Sequence, residues 1–432
     1  MIIVGNVKNA VTPGGRMKLF KVNNLTNVDD NPFDRQERIT GWDQKTISNA
    51  KIMVVGAGAT GNESLKNLAL MGFSNILIAD FDTIEASNLS RTILFRKSDK
   101  GKLKAEIAAE RMSELCLATN PKIDFFHGDV VWELGTGVFR NIDLVLGCLD
   151  NVETRFAINR QCLLAKTPWI DCGIYELAGH VSIFSSQEKS ACYECNATKN
   201  QIIAARKRYS CDDFKRTIIN EGKMPTVQIC SAIISAIQVQ EAVKLLTGHQ
   251  SSVSKKIFYQ GTVNDFDVNL IPFNSKCTAH VSFSEVISLP LSSNILLKNF
   301  LEYISQEKFS GKGAKLDFRG DKDFVKTISC KLCKKEINIY KPSFRIYDNE
   351  TVCEECRKSK NFSKDFIQDQ NIQKKLLHEF SLENTEQRIL NMTLNEIGVP
   401  LYHIVTVYNR SGHEKYYELK EDRNTVFKNI YA

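Results

Sequence analysis

Residues 51–61 read Lys-Ile-Met-Val-Val-Gly-Ala-Gly-Ala-Thr-Gly. Ile52–Val55 is a buried-strand pattern, Gly56, Gly58 and Gly61 form a complete G-x-G-x-x-G, and Asn62–Met71 continues with helical apolar spacing. A strand that passes through a glycine turn into a helix start leaves little choice of fold. The glycines let backbone N–H groups approach an anion, and the helix N-terminus adds partial positive charge. The chain is therefore expected to bind a nucleotide. The motif alone does not say which nucleotide, or what is done with it.

The surrounding pattern extends this reading. Ile52–Val55, Asn75–Asp80, Lys122–His127, Leu144–Leu149 and Trp169–Gly173 read as strands, and Asn62–Met71, Lys104–Asn120 and Asn151–Lys166 as helices. Such alternation predicts an α/β fold with a doubly wound, mainly parallel, Rossmann-like sheet, its ligand site at the carboxyl ends of the strands. Residues 1–50 are a lead-in ending in a charged helix, Phe33–Ala50, and the nucleotide domain spans 51–284. Within it, 185–224 read as a long crossing segment, after which Pro225 precedes an apolar helix, Thr226–Leu246, stopped by Gly248. Residues 256–284 look like returning strands. Residues 285–326 read as a linker or helical region, with Ser310–Asp323 the best linker candidate. A compact cysteine-paired unit comes next over 327–360, then a β-rich C-terminal domain over 361–432 that begins with a polar helix, Ser363–Glu379, and ends in strands at His403–Tyr408 and Glu414–Leu419.

Composition narrows the class. The chain has 432 residues, 43% hydrophobic and 25% charged, as expected for a globular protein with two to four domains. The net charge of +7 is interspersed, with no basic patch interleaved with aromatics, so no nucleic-acid partner is expected. No apolar run approaches the roughly 20 residues of a membrane span, and Met1–Pro13 lacks a signal-peptide core. A cytoplasmic location without a membrane partner is the expectation. Thirteen cysteines include three C-x-x-C pairs: Cys192/Cys195, Cys330/Cys333 and Cys353/Cys356. In a cytosolic protein this spacing reads as zinc ligation rather than disulfides. The last two pairs flank a strand-like segment in zinc-ribbon style and are expected to hold a structural zinc.

In a dinucleotide-binding protein an acid some 20 residues past the glycines would hold the ribose, and Asp80 fits. The residues beyond it do not look like those of a dehydrogenase. Residues 80–91 read Asp-Phe-Asp-Thr-Ile-Glu-Ala-Ser-Asn-Leu-Ser-Arg, Gly101-Lys-Leu-Lys104 comes next, and Asp150-Asn151 stands after the fourth strand. This set resembles the ubiquitin-activating enzymes and their ThiF- and MoeB-type adenylyltransferase relatives, whose run is D-F-D-x-V-x-x-S-N-L-x-R, then G-x-x-K and D-N. Arg35-Gln-Glu-Arg38-Ile39 is similar to the family's upstream element, and the helix with Gln238, Gln240, Glu241 and Lys244 to its helix after the crossing loop. The similar segments cover about 33–250. Two departures stand out: Ala59 and Thr60 in the glycine loop, usually G-x-G-G-L-G, and Thr92 where a glutamine usually comes after the motif arginine.

The resemblance implies attack of a protein's C-terminal carboxylate on the α-phosphate of ATP. Both reactants are anionic, so cations must screen them. It assigns Arg91, Lys104 and Arg38 to the phosphates, Asp80 to the ribose, Asn88 to assistance at the phosphates and Asp150 to Mg²⁺. Arg38 would come from the second subunit of a dimer, and one nucleotide-binding repeat implies a stand-alone homodimer similar to bacterial members. It also completes the first C-x-x-C pair with Cys277-x-x-His280, giving a closed structural Zn²⁺ site of Cys192, Cys195, Cys277 and His280. Cys211 is the implied thioester nucleophile, preceded by Arg206, Lys207 and Arg208, which favour a thiolate. Cys230 and the remaining cysteines read as core. Thr393–Pro400 with the two strands after it looks like a ubiquitin-fold domain that recruits a conjugating enzyme. The leading reading is adenylation of a ubiquitin-like protein ending in Gly, capture on Cys211 and transfer to a conjugating enzyme. Sulfur-carrier adenylylation without a thioester, a non-catalytic partner of an active enzyme, and a nicotinamide-dependent oxidoreductase are the alternatives.

Overall fold

A computed structural model describes residues 31–198, 201, 225–306, 313–317, 323–331, 333–346, 350 and 372–431. The chain opens with two short helices, α1 (Asp34–Glu37) and α2 (Gln44–Asn49), where one longer helix was expected. The break falls at Gly41, whose φ of +81° carries the chain round a left-handed turn. Strand β1 (Lys51–Val55), helix α3 (Ala59–Leu70) and strand β2 (Asn75–Asp80) then form the expected βαβ unit. Helix α4 (Lys104–Leu115), β3 (Lys122–His127), α5 (Thr136–Arg140), β4 (Leu144–Cys148), α6 (Val152–Ala165) and β5 (Trp169–Tyr175) complete the parallel part. Helix α4 stops short of Asn120, which adopts a left-handed φ of 54°.

The large sheet has the order β3-β2-β1-β4-β5-β6-β7-β8. Strands β1 to β5 are mutually parallel, and β6 (Ala178–Phe184), β7 (Lys255–Gln260) and β8 (Asp265–Leu270) add an antiparallel edge. Strand β6 was not anticipated because Gly179 interrupts its pattern; the glycine is needed, since a Cβ there would stand 2.5 Å from Ile234. Chain order reverses between β1 and β4, which opens a crevice at their carboxyl ends.

Both faces of the parallel strands are covered, which is why β4 is buried throughout. On one face Ile52, Val54, Ile76 and Ile78 pack with Leu65 and Leu68 of α3, Ala105 and Met112 of α4, and Ile234 and Val239 of α7 (Gln228–Leu246). The 19 residues of α7 have the length and hydropathy of a membrane span, against the expectation that no such stretch exists. Its packing accounts for that composition: Cys230, Ser231, Ile234, Ser235, Gln238, Val239, Glu241 and Ala242 are buried in the fold. On the other face Met53, Val55, Leu77 and Val145 pack with Val138 and Phe139 of α5, Ile158 of α6, and Tyr402, Val426, Phe427 and Ile430 from far along the chain.

Residues 286–317, expected as a linker or helical region, hold a helix and also two strands. Strand β9 (Val286–Leu289), helix α8 (Leu297–Gln306) and β10 (Lys315–Asp317) join β14 (Glu379–Phe380), β15 (Ile404–Tyr408) and β16 (Glu414–Leu419) in a second sheet of order β14-β10-β15-β16-β9. Leu316 of β10 is fully buried there with Phe300, Leu301 and Tyr417. A three-residue strand is too short to carry a sequence period, so polar neighbours hid it. The C-terminal unit is thus assembled from both sides of the cysteine-paired segment. That segment supplies β11 (Phe324–Cys330) and β12 (Glu336–Pro342), which pair with β13 (Ile372–Leu377) in a third sheet of order β12-β11-β13. Residues 372–377, expected in a polar helix, are strand because every position from Ile372 to Leu377 registers against β11. Short helices α9 (Gln387–Leu390) and α10 (Arg423–Val426) complete the chain.

Candidate nucleotide site and a cysteine–histidine cluster

The glycine turn sits at the reversal of strand order. Gly56 has φ +95° and donates to the Ala79 carbonyl (2.8 Å), and a Cβ on it would come 2.3 Å from the Cys148 carbonyl. Gly61 lies so close to the turn that its Cβ would stand 1.9 Å from the Gly56 carbonyl. Gly58 differs: it is the N-cap of α3, and among the described residues nothing lies within 4 Å of its Cβ position. The N-terminus of a 12-residue helix is therefore left uncovered by the described residues, across a position without a side chain.

Asp80, at the end of β2, accepts from the Ala57 N–H at Oδ2 and from the Asp82 N–H at Oδ1, both 2.7 Å. Burial pushes its carboxyl above the usual aspartate range, against the pull of Lys104 and the Ala57 N–H. Lys104, the buried first residue of α4, donates from Nζ to Asp82 Oδ2 (2.7 Å). Arg91 is half-buried and donates from its guanidinium to the Ser87 carbonyl (2.6 Å). Asn88 Oδ1 accepts from the Glu85 N–H (2.9 Å), which shapes the turn that carries Arg91. Asp150 is exposed, two residues beyond the strand end that abuts Gly56, and accepts from Asn151 Nδ2 (3.2 Å).

The structure thus joins Gly56, Gly58, Gly61 and Asp80 at one turn, sets Asp150 two residues past the strand end that abuts it, and places Lys104 and Arg91 on the segments beside it. Arg38 is not among them. It pairs with Asp34 (2.7 Å) at the end of α1, and α1 is fastened to the opposite end of α3 by Gln36 Nε2 donating to the Met71 carbonyl (3.1 Å). Helix α3 is about 18 Å long, more than an arginine side chain spans. Cys211 lies outside the described residues, as do Arg206, Lys207 and Arg208.

One supporting residue escaped the motif reading. Asn62 is fully buried, donates to the Ala57 (2.7 Å) and Gly58 (3.0 Å) carbonyls, and accepts from the Leu94 N–H (2.9 Å). It ties the glycine turn to the Arg91 segment. Its position directly after the last motif glycine was the available signal. Gln238 works similarly from α7: it donates to the Gly147 (3.2 Å) and Ile170 (2.9 Å) carbonyls and accepts from Ser64 (2.8 Å).

A second cluster lies at the far end of the antiparallel edge. One ligand atom each from Cys192, Cys195, Cys277 and His280 fall within 4.8 Å of one another. Cys192 Sγ stands 3.8 Å from both Cys195 Sγ and Cys277 Sγ, and Cys195 Sγ is 3.1 Å from His280 Nε2. Thiolates bound to zinc at 2.3 Å in a tetrahedron stand about 3.8 Å apart, the separation of Cys192 Sγ from its two cysteine neighbours, so three thiols and an imidazole make a donor set of the kind that ion takes. The Cys192 turn is anchored to α6, where Arg160 forks onto the Glu194 carboxylate (2.8 and 2.9 Å) and the Tyr193 N–H donates to Asn159 Oδ1 (3.0 Å). Cys330 and Cys333 occupy the β11–β12 turn, closed by the Cys330 N–H donating to Lys335 and the Lys334 N–H to Cys330 (both 2.9 Å). Cys353 and Cys356 lie outside the described residues.

A doubly wound sheet with an open helix N-terminus at its switch point, flanked by Asp80 and Asp150, defines a nucleotide-binding α/β protein. The chain belongs to the ThiF family, whose model matches residues 33–279. It is 44% identical over 165 residues to SUMO-activating enzyme subunit 2 of Dictyostelium discoideum, a match covering 38% of this chain and 24% of that protein. The chain thus spans about a quarter of that relative's length. It is 27% identical over 230 residues to molybdopterin-synthase adenylyltransferase of Escherichia coli K12, covering 52% of this chain and 85% of that protein. Among solved structures, Escherichia coli MccB with MccA-N7isoASN is similar at 20% identity and TM-score 0.48, over 59% of this chain and 75% of that one.

Proposed function

We propose that this protein is an ATP-dependent adenylyltransferase that activates the C-terminal carboxylate of a ubiquitin-like protein. The observation that carries the proposal is the N-terminus of α3, uncovered by the described residues, at the reversal of strand order, with the Asp80 carboxylate bonded to its turn and Asp150 two residues past the strand end that abuts it. The exposed backbone at Gly58 receives phosphate oxygens, Asp80 holds the ribose, and Lys104 and Arg91 offset phosphate charge. Asp150 would hold Mg²⁺, a hard cation suited to carboxylate, which supplies charge neutralisation at the phosphates. Asn88 acts by setting the turn of Arg91. Arg38 serves the site of a second subunit, because its own glycine turn lies a helix length away; a homodimer is part of the proposal.

The finer step is capture of the activated carboxylate on Cys211 as a thioester and its transfer to a conjugating enzyme. The Cys211 thiolate forms the C–S bond, and AMP leaves with the electrons of the broken acyl–phosphate bond. Cys211→Ala is expected to keep full ATP–pyrophosphate exchange and to lose a thiol-sensitive adduct with a ubiquitin-like protein ending in Gly. An adduct that survives the substitution sinks this step. The coverage of the molybdopterin-synthase adenylyltransferase favours a second reading, in which the adenylate goes directly to sulfur transfer.

The cysteine–histidine cluster is proposed as a structural Zn²⁺ site, with no open position for chemistry. It joins the segment after β6 to the segment after β8. Cys195→Ser is expected to remove one zinc per chain, measured by elemental analysis, and to lower the melting temperature by about 10 °C.

A further inference from the structure

A buried ion pair lies directly behind the strand end that leads to Asp150. Arg155, in the first turn of α6, donates from Nε to Asp171 Oδ1 (2.8 Å) and from Nη2 to the carbonyls of Leu149 (2.6 Å) and Cys172 (3.0 Å). Asp171, on β5, is fully buried, and its Oδ2 stands 3.5 Å from His180 Nε2 of β6. Gly173 leaves room for the assembly, since a Cβ there would meet His180 Cε1 at 2.7 Å and Arg155 Nη2 at 3.1 Å.

Stability does not explain the pair. Desolvating two charges offsets most of their attraction, and apolar residues of similar volume serve as well. Its geometry does explain it. Strands β4 and β5 stop pairing at Cys148↔Cys172, so Leu149 has no ladder partner among the described residues. Arg155 bridges the gap by holding the Leu149 and Cys172 carbonyls with one nitrogen, and Asp171 fixes the plane of the guanidinium. On the far side of Asp150, Asn151 caps α6 by accepting from the Thr154 N–H (2.8 Å) and donates to Asp150 itself. The aspartate is pinned on both flanks.

We infer that Arg155 and Asp171 are positioning residues that set the Mg²⁺ affinity of the nucleotide site by fixing Asp150, an inference that rests on Asp150 as the Mg²⁺ ligand. Lysine in place of Arg155 keeps the charge but lacks the fork that reaches the carboxylate and both carbonyls. The test is calorimetric ATP binding across a Mg²⁺ titration, on the full chain and its Arg155→Lys, Asp171→Asn, Gly173→Ala and Asp150→Asn variants. Outer-shell partners of this kind typically contribute 10- to 100-fold in metal affinity. Arg155→Lys and Asp171→Asn should therefore raise the Mg²⁺ midpoint about 10-fold while ATP binding without Mg²⁺ stays unchanged. Gly173→Ala, which crowds the guanidinium without removing charge, should shift it in the same direction and covers the case in which Asp171→Asn does not fold. A lower melting temperature with an unmoved midpoint in the folded variants means a merely structural pair and overturns the inference. If wild type shows no Mg²⁺ dependence, or Asp150→Asn does not alter it, the assignment of Asp150 fails and takes this inference with it.

Discussion

Asp150→Ala is expected to lower ATP–pyrophosphate exchange by about 10³-fold and to leave the melting temperature within a degree or two of wild type. The two halves of that expectation come from different observations. Asp150 is exposed and its described hydrogen bond is to neighbouring Asn151, so its loss leaves no cavity and no orphaned partner. Its carboxylate nevertheless stands just beyond the strand whose Cys148 carbonyl abuts the glycine turn. A group that contributes nothing to folding but lies beside a phosphate cradle acts on charge brought in by the ligand. Exchange is the assay of choice because it reads the adenylate step alone. Undiminished exchange in Asp150→Ala removes the metal role and with it most of the proposed chemistry.

The second large effect separates two glycines of one motif. Gly61→Ala should cost about 4 kcal/mol or more and lower the melting temperature by roughly 10 °C, as far as the fold survives. Its new methyl group would stand 1.9 Å from the Gly56 carbonyl, and Gly56 cannot retreat because its N–H is bonded to Ala79 and its φ is +95°. Gly58→Ala should leave the melting temperature alone, since its φ of −77° suits alanine and no described residue lies within 4 Å of the new atom. Instead it should weaken ATP binding at least 10-fold, because the added methyl occupies the ground over which phosphate oxygens approach the N–H groups. Thermal denaturation and calorimetry on the pair check both statements. Equal melting temperatures for the two variants contradict the packing argument; unchanged affinity in Gly58→Ala contradicts the placement of the phosphates.

The parts legible in the sequence were those fixed by local rules. Buried parallel strands such as Ile52–Val55 and Leu144–Cys148 need continuous apolar runs, and the glycine turn needs residues without side chains at set intervals, so both announce themselves. The Cys192, Cys195, Cys277 and His280 grouping was expected from family resemblance, and the structure brings the four together. The features that stayed hidden depend on partners distant in sequence. Strand β10 is strand because β14 and β15 flank it, not because Lys315–Asp317 says so. Asn62 looked like any polar residue in a first helical turn, and its function emerges only when Leu94 is folded against it. Arg155 and Asp171 are likewise ordinary charges until helix α6 packs beside strand β5 and brings them together.

Residues 423–431 have a mechanical consequence for the whole molecule. Phe427 and Ile430 lie under the large sheet with Met53 and Leu77, and the buried Asp124 carboxylate of β3 receives the backbone N–H groups of Asn429 (2.9 Å) and Ile430 (3.0 Å). Higher up, the Gly135 N–H donates to the Leu401 carbonyl (2.8 Å). The small β-rich body is therefore bolted to the large-sheet body at two points, and swinging it aside would expose greasy surface and strand a carboxylate. Whatever approaches the glycine turn therefore meets the two bodies at a set spacing, since the described residues at that joint form no loose arm.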